Sequence, residues 1–154
     1  MDQRFKYSDE QLRLLGNAIV WTTVLAAVHN DGVIMPEEKA AAVKQAHFRT
    51  FTSDAHLQPI YKRLDSHFEA DFDNYSSMLP EGDDAKEEFV KEKLQQSLKG
   101  LEGLDKFHGR TFIEELRDLF DRVFKADSSI FQLFAFPIVS AHLDQFGLDI
   151  KSNK

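Results

Sequence analysis

Residues 28–39 read VHNDGVIMPEEK, and the reading of this stretch decides the fold. Before it lies Ala18–Val28, the most apolar run of the chain, interrupted only by Thr22 and Thr23. Asn30, Asp31 and Gly32 then form a stop, because glycine takes the left-handed conformation that ends many helices. Pro36 suits the first position of a new helix, where its fixed φ is already helical and its missing N–H is not needed. Glu37 and Glu38 fall in the first turn, where carboxylates complement the positive end of the helix dipole. The stretch is therefore expected to be a helix-to-helix corner.

A calcium loop is the competing reading. With Gly32 as the turn glycine at loop position six, Asp31, Ile34 and Glu38 fall at positions five, eight and twelve, all with fitting types. Positions one and three are then Ala27 and His29, where a working loop supplies oxygen ligands. Half of the ligand set is missing, and the corner reading stands.

Helical spacing continues outward from the corner. Ser8 and Gln11 make a capping box that opens the first helix, and Leu12, Leu15, Ile19 and Ala26 recur along it. The second helix is expected from Pro36 to about Phe48. A third starts near TSDAHLQPIY (52–61), capped by Ser53 or Asp54 or opened by Pro59. It carries one stripe of Ile60, Leu64, Phe68, Phe72 and Tyr75 and ends before Pro80. Asp83 or Asp84 caps a fourth, with Phe89, Val90, Leu94 and Leu98. KGLEGLDKFHGR (99–110) holds glycines at 100, 103 and 109 and reads as a broken helix or an irregular crossing. Thr111 and Glu114 make a second capping box, opening a helix with Phe112, Leu116, Phe120 and Val123. After ADSS (126–129), Ile130–Phe146 forms a very apolar final helix that Gly147 stops. No segment alternates with a period of two. The expectation is an all-α domain of about six or seven helices over residues 1–154, with 1–7 and 151–154 as tails. Its first and last helices, apolar nearly all round, are expected to pack together at the centre.

Composition narrows the function classes. A chain of 154 residues, 42% hydrophobic and 29% charged, fits one globular domain. A net charge of −7 with no Lys/Arg cluster argues against nucleic acid and against an anionic membrane surface. It suits a cation or a basic protein partner. With no cysteine there is no disulfide, thiolate metal site or cysteine nucleophile. The N-terminal stretch is polar, and Ala18–Val28 is shorter than the ~18–20 residues of a membrane span. It is expected to be a buried core helix in a cytoplasmic protein.

The chemistry-bearing residues gather at helix ends. His-x-acid occurs as His29-x-Asp31, His67-x-Glu69 and His142-x-Asp144. If the two halves of the chain are related, His29, Asp31, His142 and Asp144 could converge, and such N/O ligands suit zinc, manganese or iron. The plainer reading has the two helix-terminal histidines bonding to C-terminal carbonyls. Asp65, Glu69 and Asp73 are spaced to share one helix face. Like charges there call for a cation from another helix, from Lys62 or from a basic partner. Glu-x-x-His pairs of a di-iron bundle are missing, and so are a nucleophile elbow and a phosphate loop. A lone Asp105-x-x-His108 has the spacing but stands once, within the glycine-broken stretch. Of 14 phenylalanines, Phe124, Phe131, Phe134, Phe136 and Phe146 cluster late in the chain. They are core or, with Pro137 kinking the helix, the lining of a cavity for an apolar ligand.

VLAAVHNDGVI (24–34) followed by MPEEKAAAVK (35–44) resembles the tellurite-resistance TerB-like family of helical domains, over residues 18–44. The resemblance implies an all-helical fold of two similar halves, each with such a corner, and acidic residues that bind divalent metal. It implies a role in stress response or as an interaction module. The counterpart corner would be FPIVSAHLDQFGLDI (136–150), which departs from the pattern because Asp144 and Gly147 are not adjacent and no acidic helix follows.

The sequence thus points to an acidic helical binding module with no evident catalysis. Its candidate metal residues are His29, Asp31, Glu38, His142 and Asp144, with a divalent metal as the one cofactor suggested. A metal-dependent enzyme or sensor and an apolar-ligand carrier remain as alternatives.

Overall fold

The computed structural model describes residues 7–29 and 34–124. Their helices are α1 (Asp9–His29), α2 (Pro36–Thr52), α3 (Gln58–Asp65), α4 (Phe68–Ser77), α5 (Asp83–Ser97) and α6 (Lys106–Phe124). A short 3-10 turn, Leu98–Leu101, follows α5. The all-α fold expected from the sequence is what forms, with no strand among the described residues.

α1 is the central element and packs against α3, α4, α5, the 3-10 turn and α6. Its start is the expected box: the Ser8 N–H donates to Gln11 Oε1 at 2.9 Å, and the Gln11 N–H donates to Ser8 Oγ at 3.0 Å. Every residue of Ala18–Val28 is buried. Thr22 and Thr23 tolerate this because their hydroxyls donate to the carbonyls of Ala18 and Val20, at 2.8 and 2.7 Å. Trp21 stacks on Tyr75 of α4 at 4.5 Å and meets the Phe89 ring of α5 edge-on at 5.8 Å. Each large side chain buried in this way contributes about 1.5–3 kcal/mol. By length and composition Asp9–Val28 would also suffice to cross a membrane, but 72% of that window is buried inside the fold. The expected partner for α1, the helix at 130–146, lies outside the described residues.

Four boundaries differ from expectation. α2 runs on to Thr52 rather than ending near Phe48, and Ser53 closes it by donating from Oγ to the Arg49 carbonyl at 2.7 Å. The stripe Ile60–Tyr75 lies on two helices, not one. The His67 N–H bonds back only three residues, to Leu64, and α4 restarts with Asp71 N–H on the His67 carbonyl. α5 is capped by Gly82 at φ +94°, so Asp83 and Asp84 are its first turn and not its cap. α6 starts at Lys106, five residues before the Thr111–Glu114 box, because Asp105 Oδ1 accepts the His108 N–H at 2.9 Å. The glycine-rich crossing resolves into the 3-10 turn and Gly103 at φ +87°.

Candidate functional site

The corner that suggested a metal is described in part. His29 is the last residue of α1, and Asp31, His142 and Asp144 lie outside the described residues. Glu38 serves the backbone, since its Oε1 accepts the Met35 N–H at 2.8 Å and caps the start of α2. No group of three or more metal-ligating side chains occurs among the described residues. The late phenylalanine cluster also falls outside them, Phe124 excepted, which ends α6.

The row Asp65, Glu69 and Asp73 is answered from another helix, one of the expected solutions. Lys39 Nζ of α2 lies 3.2 Å from Glu69 Oε2 and 2.9 Å from Asp73 Oδ1. Hydrogen bonds to Asp73, then to Glu69, raise the Lys39 pKa. Asp65, at the end of α3, pairs with His47 Nδ1 at 2.9 Å. His67 and Glu69 do not act as a pair, since His67 Nδ1, just before α4, lies 2.6 Å from Asp71 Oδ2 in its first turn.

The densest polar site among the described residues is one that the sequence motifs do not mark. It lies between α2 and α6, which pack together along the side of the domain. Arg49 projects from the buried stripe Ala42, Ala46, Arg49 and leaves only 9% of its side chain exposed. Its Nη1 donates to Glu115 Oε2 at 2.7 Å and its Nη2 to Asp118 Oδ2 at 2.6 Å. The Tyr61 hydroxyl of α3 donates to the same Glu115 oxygen at 2.6 Å. Burial alone would lower the Arg49 pKa, but the bonds to Asp118 and Glu115 outweigh it and hold the guanidinium charged. Burial, then the Glu115 carboxylate, raises the Tyr61 pKa and keeps the phenol protonated. A charge in a row of small buried residues is the one signal of this site in the sequence, since such a group is kept only with partners.

Above this floor is an open cleft of about 350 Å³, walled by Gln45, Phe48, Thr52, Asp54 and Arg122 among others. Asp54, Glu115 and Asp118 face Arg49 and Arg122 there, giving one more carboxylate than guanidinium. Phe48 and Phe51, three apart on α2, are 57% and 67% exposed. The His47 ring meets Phe51 edge-on at 5.4 Å. Their exposure follows from geometry, because α2 turns Ala42, Ala46, Arg49 and Thr50 inward and leaves the opposite side to solvent. A rigid charged floor, an open cleft with Phe48 in its wall and the exposed Phe51 further along the same helix can hold a side chain or helix from outside. They include no nucleophile–base pair.

Comparison with protein families, with curated proteins and with solved structures finds no match for this chain.

Proposed function

We propose that the chain is a helical interaction module that docks a basic protein segment on the outer face of α2 and the cleft beside α6. The observation that carries this reading is the exposed Phe48–Phe51 pair on a helix whose other face is locked to the core. Large aromatic side chains cost solubility when left in water, and aromatic residues dominate binding hot spots. The cleft adds a carboxylate excess, and the chain as a whole carries −7. A partner segment with an apolar anchor and Lys or Arg beside it matches both features. Arg49, Glu115 and Tyr61 give the surface rigidity, which lowers the ordering cost of binding.

The test uses two amphipathic peptides of equal apolar content, one bearing lysines and one bearing glutamates. The lysine peptide should bind, with chemical-shift changes confined to α2, the 53–54 turn and the exposed side of α6. Replacing Phe48 and Phe51 by Ser should weaken it at least about tenfold, equivalent to ~1.4 kcal/mol. Equal binding of the glutamate peptide, or an unaltered affinity in the double variant, would refute the proposal.

A further inference from the structure

We propose that the buried His56–His108 pair is a proton-operated catch that fastens the segment before α1 and the α2–α3 turn to the start of α6. Three separate parts of the chain meet at this point. The Tyr7 hydroxyl, just before α1, donates to the backbone carbonyl of His56. His56, in the turn after α2, sets its ring 4.9 Å from that of His108, at 81° to it. His108 belongs to the first turn of α6, and both imidazoles are buried. Asp105 Oδ1 accepts the His108 N–H and also lies 2.9 Å from His108 Nδ1, so the second ring is anchored on the helix cap. The Phe107 ring covers His56 at 5.3 Å while being 63% exposed itself.

Burial works against a cation on His56. Among the described residues, the titratable groups that act on it are His108 and Asp105 from the start of α6 and Asp54 from its own turn, with the Tyr7 phenol bonded to its carbonyl. Burial and the neighbouring His108 lower the His56 pKa, and Asp54 and Asp105 offset this only in part. Because the folded value lies below the unfolded one near 6.5, the unfolded chain takes up protons first on acidification. The contribution of this junction is complete above about pH 6.5 and is lost as pH falls towards the folded His56 value. Opening separates Tyr7 from His56 and uncovers the apolar side of Phe107. Acidification would then expose apolar surface around Phe107, without changing the α4–α5 side.

Hydrogen exchange followed by mass spectrometry on the full chain tests this at about pH 7.5 and about pH 5.5, with rates corrected for intrinsic pH dependence. Peptides covering residues 7–12, 54–58 and 105–109 should lose protection at the lower pH, by at most about tenfold for a single imidazole with an unfolded value near 6.5, while 83–97 should not. In His56→Gln, which cannot carry the charge, that difference should vanish. Persistence of the difference in His56→Gln, or equal protection of the wild type at both pH values, would overturn the catch. Where His56→Gln fails to fold, the wild-type His56 ring protons are titrated by NMR instead. A midpoint below 6.5 supports the proposal, and one at or above it defeats it.

Discussion

Arg49 of α2 and Glu115 of α6, 66 residues apart in the chain, meet at 2.7 Å with only 9% and 13% of their side chains exposed. The contact ties the second helix to the sixth and takes Tyr61 of α3 into the same carboxylate oxygen. A pair buried this far is worth less than its Coulomb energy, because both charges have lost water. Breaking it is another matter. Glu115→Ala leaves the Arg49 guanidinium and the Tyr61 hydroxyl each without this acceptor, and is expected to cost about 3–5 kcal/mol in urea unfolding. Asp118→Ala, whose carboxylate is 51% exposed, should cost about 1 kcal/mol or less. Arg49→Met combined with Glu115→Gln should recover most of the Glu115→Ala loss, since the amide oxygen still accepts from Tyr61 and no buried charge remains.

Two glycines make opposite predictions. A Cβ on Gly100 would lie 3.0 Å from Leu14 Cβ and 3.0 Å from Leu15 Cγ, so α1 would have to move away from the 3-10 turn. Gly100→Ala is expected to destabilise by about 1–3 kcal/mol. A Cβ on Gly16, within α1, meets only Leu64 Cδ1 at 3.7 Å, an ordinary contact. Gly16→Ala should therefore stabilise by about 0.5–1 kcal/mol through helix propensity. Denaturant midpoints of the two variants, one falling and one rising, check both.

Lys39 is the cation that makes the acidic row Glu69 and Asp73 tolerable. Lys39→Glu puts three carboxylates together across α2 and α4 and should lower Tm at low ionic strength. Lys39→Met should do so less. Both losses should shrink in about 1 M NaCl, where the screening length falls to ~3 Å. A decrement independent of salt would mean that the lysine acts through its methylene stem and not its charge.

The local grammar of the helices is legible in the sequence, and the couplings between them are not. The Ser8–Gln11 box, the opening of α2 at Pro36 and the burial of Ala18–Val28 follow from residue types and spacing within one segment. The split between α3 and α4 is hidden because Ile60, Leu64, Phe68 and Phe72 keep helical spacing across it, and all are buried. The start of α6 is hidden because glycines at 100, 103 and 109 suggest irregular chain, although Gly109 lies inside the helix. Arg49 finds Glu115 and Asp118 by packing, a relationship no period in the sequence encodes. Asp105 and His108 share the spacing of half a di-iron motif. Their contact is instead a helix cap beside a second buried imidazole.

The three tyrosines give the last prediction, at the alkaline end. Tyr7 is raised to about 12, by burial and then by Asp105. Tyr61 is raised well above 10, first by burial and then by Glu115, and Tyr75 is raised by burial and then by Asp71. These are all the tyrosines of the chain. In the unfolded state each would ionise near 10, so above that pH the native state binds more protons than the unfolded one. Stability is then fully present below about pH 10 and declines as pH rises towards the folded values, near 12 for Tyr7. Phenolate absorbance near 295 nm should stay low in the folded protein at about pH 10.5. It should rise in one cooperative step together with the loss of helical circular dichroism. Tyr7→Phe should move the step upward, because it removes one phenol that the unfolded chain ionises more readily than the folded one. Phenolate appearing near pH 10 with the helical signal intact would show that these hydroxyls are open to solvent, and the packing of Tyr7 and Tyr75 described above would have to be abandoned.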